Sequence, residues 1–460
     1  MGVLLFAKPE GIPDDKRQVM DDYIAQVKAT LNSAEDIQTR FKLAVDEMQR
    51  VFQPISTWVP HMMGGMLSMA LLNKVMSNHV DDDTLAALGQ GLAGNVTTEM
   101  GLAVGDITDA ARASRELMNH LNQTELDAKT RLAEASALAG GPEFLQMWGD
   151  FLETYGVRGP SEIDLSRQRW YEDPSSLLQM IVGGLTHSTQ GKHREEYERL
   201  AVENEKAAHK IVDAAYQGGL GFIRGPLVRR LTRVSSNLMP LREHHKFLMI
   251  RFLGLVKPII LDVGQLLHEE GRLALPDDIW FLTIPEILNA FESPTELSTS
   301  LLQTLVNERR ADHERYREMT PPRVVTSEGE IPIPKLDGGD AHAGALVGTP
   351  VSAGIVEGIA KVVLNPSQEA LNPGEILVAP FTDPGWTPLF VNAAGLITEV
   401  GGLMTHGSVV AREYGIPAVV GVMDATKQIQ TGDRVRVHGD AGYVEFLDVD
   451  VNTDAEAETS

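Results

Sequence analysis

GLITEVGGLMTHGSVVAREYGIPAVVGV, residues 395–422, sets an apolar run, a glycine pair, a histidine, a short helix and a second apolar run end to end. Segments 395–399 and 417–422 have the β-branched, turn-bounded texture of strands. Between them, Gly401 and Gly402 permit φ values that other residues avoid. Thr405 is an N-cap residue type, and 408–414 read as about two helical turns closed by Gly415 and Pro417. His406 is thereby expected at or beside a helix N-terminus. Unpaired N–H groups and the positive end of the helix dipole favour a bound dianion there and disfavour imidazolium. The neutral ring is the nucleophilic form. A histidine so placed can carry a phosphoryl group, with Arg412 available to neutralise its oxygens; without that chemistry it is an exposed turn histidine.

Outward from this stretch, 345–449 alternates short β-like runs with turns, at 355–364, 376–379, 434–437 and 443–447 besides the two above. A compact α/β domain of about 100 residues is expected. Ahead of it, 324–344 is rich in Gly, Pro and charge, a linker composition. Residues 1–323 read as helical, with apolar residues at three and four spacing. Helices are expected near 62–78, 84–104, 107–121, 124–139, 193–215, 224–236, 240–269 and 297–317. The final 450–460 is acidic with few large apolar groups, so a disordered tail is expected. The fold class is therefore multidomain, a large mainly α-helical domain followed by a small α/β domain.

The 460 residues carry 40 basic and 64 acidic side chains, a net charge of -24. That balance argues against a phosphate-backbone partner, so no nucleic acid is expected. There is no cysteine, which excludes disulfides, thiolate zinc sites and cysteine nucleophiles and fits a cytoplasmic setting. The amino-terminal residues lack a basic region ahead of their apolar run, so no signal peptide is expected. The apolar stretch 62–72 is too short for the roughly 20 residues a bilayer requires, so no membrane association is expected.

Gly401-Gly402, Thr405-His406, Ala411-Arg412-Glu413 and the run from Gly415 to Gly421 together closely resemble the phosphohistidine, or swivelling, domain of phosphoenolpyruvate-utilising enzymes. Gly348 to Gly354 and Thr382 to Pro388 add to the likeness. In swivelling domains the second of these segments lies near the phosphorylated loop, which implies supporting roles for Asp383, Trp386 and Thr387; Asp-Pro-Gly is also turn chemistry by itself. Further upstream, Gly94 to Met100, Tyr155-Gly156, Arg158-Gly159, Glu162-Ile163-Asp164, Arg169-Trp170, Leu241-Arg242-Glu243 and Asp277 to Thr283 resemble the substrate domain of rifampin phosphotransferases and related phosphoenolpyruvate-synthase-like proteins.

The resemblance implies that Arg242 and Lys246, four residues apart, stabilise the phosphoryl group in transit, where charge spreads over three oxygens. A solvated basic helix face paired with Glu243 is the plainer reading. His244 or His245 could act as a base toward an acceptor hydroxyl; neighbours on a helix point about 100° apart, so at most one faces the site. Arg158 and Glu162 are candidate substrate contacts or a loop-fixing pair. Met62 and Met66 are candidates for the wall of an apolar site, or simply core. No metal site is expected.

Full-length rifampin phosphotransferases also contain an ATP-grasp domain, and nothing in the chain matches it or a P-loop. ATP and Mg2+ are therefore expected to act through an ATP-grasp partner domain, with a small-molecule hydroxyl compound as acceptor. The expected function is a phosphotransferase component carrying phosphate on His406. The alternatives are a non-catalytic small-molecule binding homologue and a relay protein labelled from phosphoenolpyruvate.

Overall fold

In the computed structural model, residues 8–123, 125–187, 189–292, 298–317, 319, 325–330, 344–366, 369, 371–390, 392–403 and 405–447 are described. Apart from 325–330 and 344, the expected linker lies outside the described residues, as does the whole expected tail. Among the described residues, all long helices precede residue 318 and all strands follow residue 345, a large helical region followed by an α/β sheet region.

Among its described residues the helical region has three apolar cores. Val96–Arg112, Gly141–Tyr155 and Ser175–His187 close over Met100, Phe144, Trp148, Phe151 and Trp170. His244–Glu269 packs against Ile37–Arg50 through Phe41, Phe252, Ile260 and Val263. Val59–Met76 packs against Gly221–Leu238, with Leu72, Met76, Val228 and Leu231 buried between them. That approach is close: a Cβ on Gly65 would lie 2.8 Å from the Leu238 carbonyl carbon, so only glycine fits.

The helix expected over 84–104 is interrupted. Asp82–Ala87 ends, the chain turns through Gly91 and Gly94 at φ 57 and 85, and Asn95 caps the next helix by accepting from Thr97 N at 2.8 Å. Arg242 likewise falls outside the expected 240–269 helix: Met239–Glu243 is a 3-10 turn and the α-helix starts at His244.

Among the described residues, eight strands form one sheet: β1 Leu346–Val347, β2 Thr349–Ser352, β3 Ile355–Val362, β4 Ile376–Ala379, β5 Gly395–Thr398, β6 Ala418–Val420, β7 Arg434–His438 and β8 Tyr443–Phe446. Their order is β1-β8-β7-β3-β4-β5-β6-β2. The central β3, β4, β5 and β6 run parallel, and the remaining pairings are antiparallel. Alternation sends Leu377, Ala379 and Leu396 to one core with Trp386, Phe390 and Val410, and Ile376, Val378 and Ile397 to the other with Val419 and Val437. Parallel strands covered on both faces read as continuous apolar runs, as β4 and β5 do. The loops carrying Asp383, Thr387 and His406 follow the carboxyl ends of β4 and β5, the edge where open α/β sheets hold their ligands.

Candidate functional site

His406 opens the helix His406–Tyr414, with Thr405 at the N-cap position in extended backbone. The expected helix N-terminus is present, but the local details differ. Thr405 makes no side-chain cap; its hydroxyl donates to the Gly402 carbonyl at 2.9 Å, and Ser408 Oγ donates to the same oxygen at 2.8 Å. The first-turn amides are thereby left without a side-chain cap. Neither Gly401 nor Gly402 is among the positive-φ glycines, contrary to the turn expectation. Gly401 is needed for space, since a Cβ there would sit 2.7 Å from Val420 Cβ. Gly415 does adopt the left-handed conformation, φ 67, and closes the helix.

The ring is 5% exposed. Nε2 lies 3.2 Å from Thr387 Oγ1, and Phe390 packs edge-on at 6.4 Å between centroids. Nδ1 lies 3.8 Å from Glu243 Oε2, an ion-pair separation, and neither atom has a hydrogen-bond partner. Burial pushes the Glu243 carboxyl up, but His406, Lys246 and Arg242 outweigh it and hold it well below the usual carboxylate range. The histidine of one region thus faces a buried carboxylate of the other.

Arg242 and Arg412 are engaged elsewhere than expected. Arg242 Nη2 pairs with Glu413 Oε1 at 2.5 Å, and Arg412 donates to the carbonyls of Val351 at 3.1 Å and Leu403 at 2.6 Å. Arg412 therefore ties the His406 loop to β2. Burial, with Arg242 nearby, lowers its guanidinium to about 10. Glu413 is 5% exposed and also accepts from Asn95 Nδ2 at 2.7 Å and Thr98 Oγ1 at 2.8 Å. Next to it, Gly101 leaves room for Tyr414, whose hydroxyl oxygen would lie 2.4 Å from a Cβ there.

Asp383 bridges the regions as well. Its carboxylate accepts from Gly385 N at 2.9 Å, the expected turn, and from Ser161 N at 2.7 Å. Ser161 is held at φ 57. Arg158, 0% exposed, donates through Nε and Nη2 to the two oxygens of Glu162, each at 3.0 Å. Arg158 is the loop-fixing partner; Glu162 reaches the site.

A cavity of about 810 Å³ opens between the regions. Phe52, Ile55, Met249 and Ile250 supply its apolar side, and Glu162, His245, Lys246, Asp383 and His406 its polar side. Lys246 lies at 43% exposure, 3.7 Å from Glu243. Met62 and Met66 do not line this cavity; their helix packs on Gly221–Leu238 instead.

His244, adjacent to His245, turns into the core, 1% exposed with its ring 5.7 Å from that of Trp58. Burial and the nearby Arg17 lower it to about 4, whereas an unfolded histidine titrates near ~6.5. Between those values the unfolded chain binds the extra proton, so this contribution is present above about pH 6.5 and lost as pH falls toward 4. A loss of about 2–3 kcal/mol in the helical region is expected across that window. Urea unfolding at pH 7 and pH 4.5 checks it, with His244→Leu flattening the difference.

Residues 57–243 match the rifampicin phosphotransferase fourth domain, and residues 371–442 the mobile domain of PEP-utilising enzymes. Rifampicin phosphotransferase of Bacillus subtilis (strain 168) is 34% identical over 440 residues, covering 93% of this chain and 50% of that protein. The Bacillus cereus rifampicin phosphotransferase is 37% identical over 386 residues, 84% of this chain and 44% of that protein. The chain belongs to the rifampicin phosphotransferase-like family. It spans about half the length of the curated relatives it matches. A more distant relative, the prodigiosin synthesizing transferase PigC of Serratia marcescens, is 31% identical over 316 residues, 67% of this chain and 35% of that protein.

In this family member, sequence reading missed Glu243 and Glu413 as site groups. Glu243 stood between Arg242 and Lys246 as a counter-ion, and Glu413 stood inside Ala-Arg-Glu without an assigned partner. The pairing that defines each role crosses between the two regions. Among the described residues, no helix is long and apolar enough to cross a membrane.

Proposed function

We propose that this chain is a phosphotransferase component in which Nε2 of His406 receives a phosphoryl group and passes it to a hydroxyl of a small molecule held in the cavity of about 810 Å³. The observation that carries this reading is the placement of His406 in the cavity wall with Nδ1 turned toward the Glu243 carboxylate. A carboxylate facing Nδ1 favours the tautomer with its proton there, which leaves the Nε2 lone pair as nucleophile. Thr387 Oγ1 donates to Nε2 in this arrangement, which orients the ring, and its hydroxyl turns away when the lone pair attacks. Lys246 and the first-turn amides of the His406 helix supply positive charge to the phosphoryl oxygens.

The domain organisation is 1–323 for acceptor binding and 345–449 for the swivelling carrier, which leaves the docked position on the 324–344 linker to reach a donor. An ATP-grasp module, in the same polypeptide or another, holds ATP and Mg2+ and supplies the β-phosphoryl group. A rifamycin is the favoured acceptor, because relatives are named for that substrate and the cavity is within the ~300–1,000 Å³ range of drug-sized sites. The ATP requirement fits a cytoplasmic setting.

Incubation with β-phosphate-labelled ATP and an ATP-grasp protein is expected to label the chain, and His406→Ala to abolish the label. Label persisting in His406→Ala would overturn the reading.

A further inference from the structure

Transfer to an alcohol or phenol releases a proton that some group must take. We propose that His245 is the base that takes it. The inference rests on the phosphoryl-transfer reading above. Among the described residues lining the cavity, the titratable groups are Glu162, Asp164, His245, Lys246, Asp383 and His406, with Glu243 behind them.

All but one are committed. Both Glu162 oxygens accept from Arg158, and both Asp383 oxygens accept backbone N–H groups. Asp164 accepts from Ser166 N and Oγ and pairs with Arg167 at 3.4 Å. Glu243 faces His406 and Lys246, Lys246 is a cation, and His406 is the carrier. His245 remains, half-buried in the first turn of His244–Glu269 and part of the cavity wall. A neutral imidazole keeps one ring nitrogen with its lone pair available to accept a proton. Burial holds this imidazole below its ordinary value, so it is neutral at neutral pH.

The step balances. The N–P bond at His406 breaks with its electron pair remaining on Nε2, the acceptor oxygen forms the new O–P bond, and its proton moves to His245. His406 returns as a neutral ring still protonated at Nδ1, and the His245 imidazolium discharges to solvent.

The test separates loading from delivery. The full chain is loaded with phosphoramidate, which phosphorylates histidine without ATP or a second protein, and label absent from His406→Ala is assigned to His406. Delivery to rifampicin, and to a panel of phenols and alcohols, is then followed in a single turnover across pH 5 to 8. His245→Gln and His245→Asn are expected to load yet deliver about a hundredfold more slowly, the size usual for a general base. The fall in wild-type rate on the acid side is expected to disappear in both. Delivery at the wild-type rate, or an unchanged acid limb, would overturn the role of His245 alone. Loaded wild-type protein that delivers to none of the acceptors would overturn the phosphotransfer reading, and this inference with it.

Discussion

Glu162→Ala is expected to destabilise the helical region by about 3–5 kcal/mol, the cost of removing one partner from a buried ion pair. The magnitude follows from what is left behind. Arg158 is 0% exposed, and a guanidinium cannot shed its proton to escape an apolar setting. The Met100 sulfur at 3.7 Å and the Phe247 ring at 5.4 Å remain beside it, and the Glu243 carboxylate acts on it only through space while facing His406 and Lys246, so none of them replaces the two carboxylate oxygens lost. The double variant Arg158→Met with Glu162→Leu is expected to recover most of the loss, because an apolar pair of similar volume leaves no unpaired charge. Urea unfolding of the two single variants and the double closes the cycle. Single-variant losses that simply add would mean that the pair is not coupled. Function is expected to fall with Glu162→Ala even where folding persists, since Ser161 to Asp164 line the cavity and Ser161 is anchored to Asp383.

This pair also marks how far the sequence could be read. Arg158 and Glu162 stand four residues apart, so their association was legible; their complete burial depends on packing from Met100 and Phe247 and was not. The same division runs through the fold. The six strands β3 to β8 were legible because each is a short apolar run bounded by turn residues. β1 and β2 were not, because Gly348, Pro350 and Gly354 interrupt the pattern; Pro350 is tolerated because β2 is an edge strand with a register shift. His406 was legible because glycine, histidine, helix and stop signal are local. The diversion of Arg242 to Glu413 was not, because its cause lies 171 residues away. The engagement of Arg412 was hidden for a related reason: an arginine beside a candidate phosphate site looks wholly available until one N–H of Nη1 and one of Nη2 are seen to donate to the carbonyls of Val351 and Leu403.

On the carrier role proposed above, Glu413→Ala is expected to slow delivery from His406 to an acceptor by two to three orders of magnitude, through loss of docking. A carrier that visits two sites must hold each position strongly enough to react and weakly enough to leave. Between the two regions one carboxylate accepts from Asn95, Thr98 and Arg242, so its removal strands three donors at once, two of them neutral and one charged. Breaking a buried charged pair costs about 3–5 kcal/mol, and each 1.4 kcal/mol is about tenfold in an equilibrium. The docked population would fall accordingly. Glu413 touches neither His406 nor the lining of the large cavity, so loading of His406 by phosphoramidate is expected to remain near wild type. The combination distinguishes docking from chemistry. A chemical defect would leave the carrier docked, whereas a docking defect would raise the radius of gyration in small-angle scattering as delivery falls. If Glu413→Ala delivered at the wild-type rate, the Asp383–Ser161 contact and the packing of Tyr414 into the space left by Gly101 would have to hold the docked position without it.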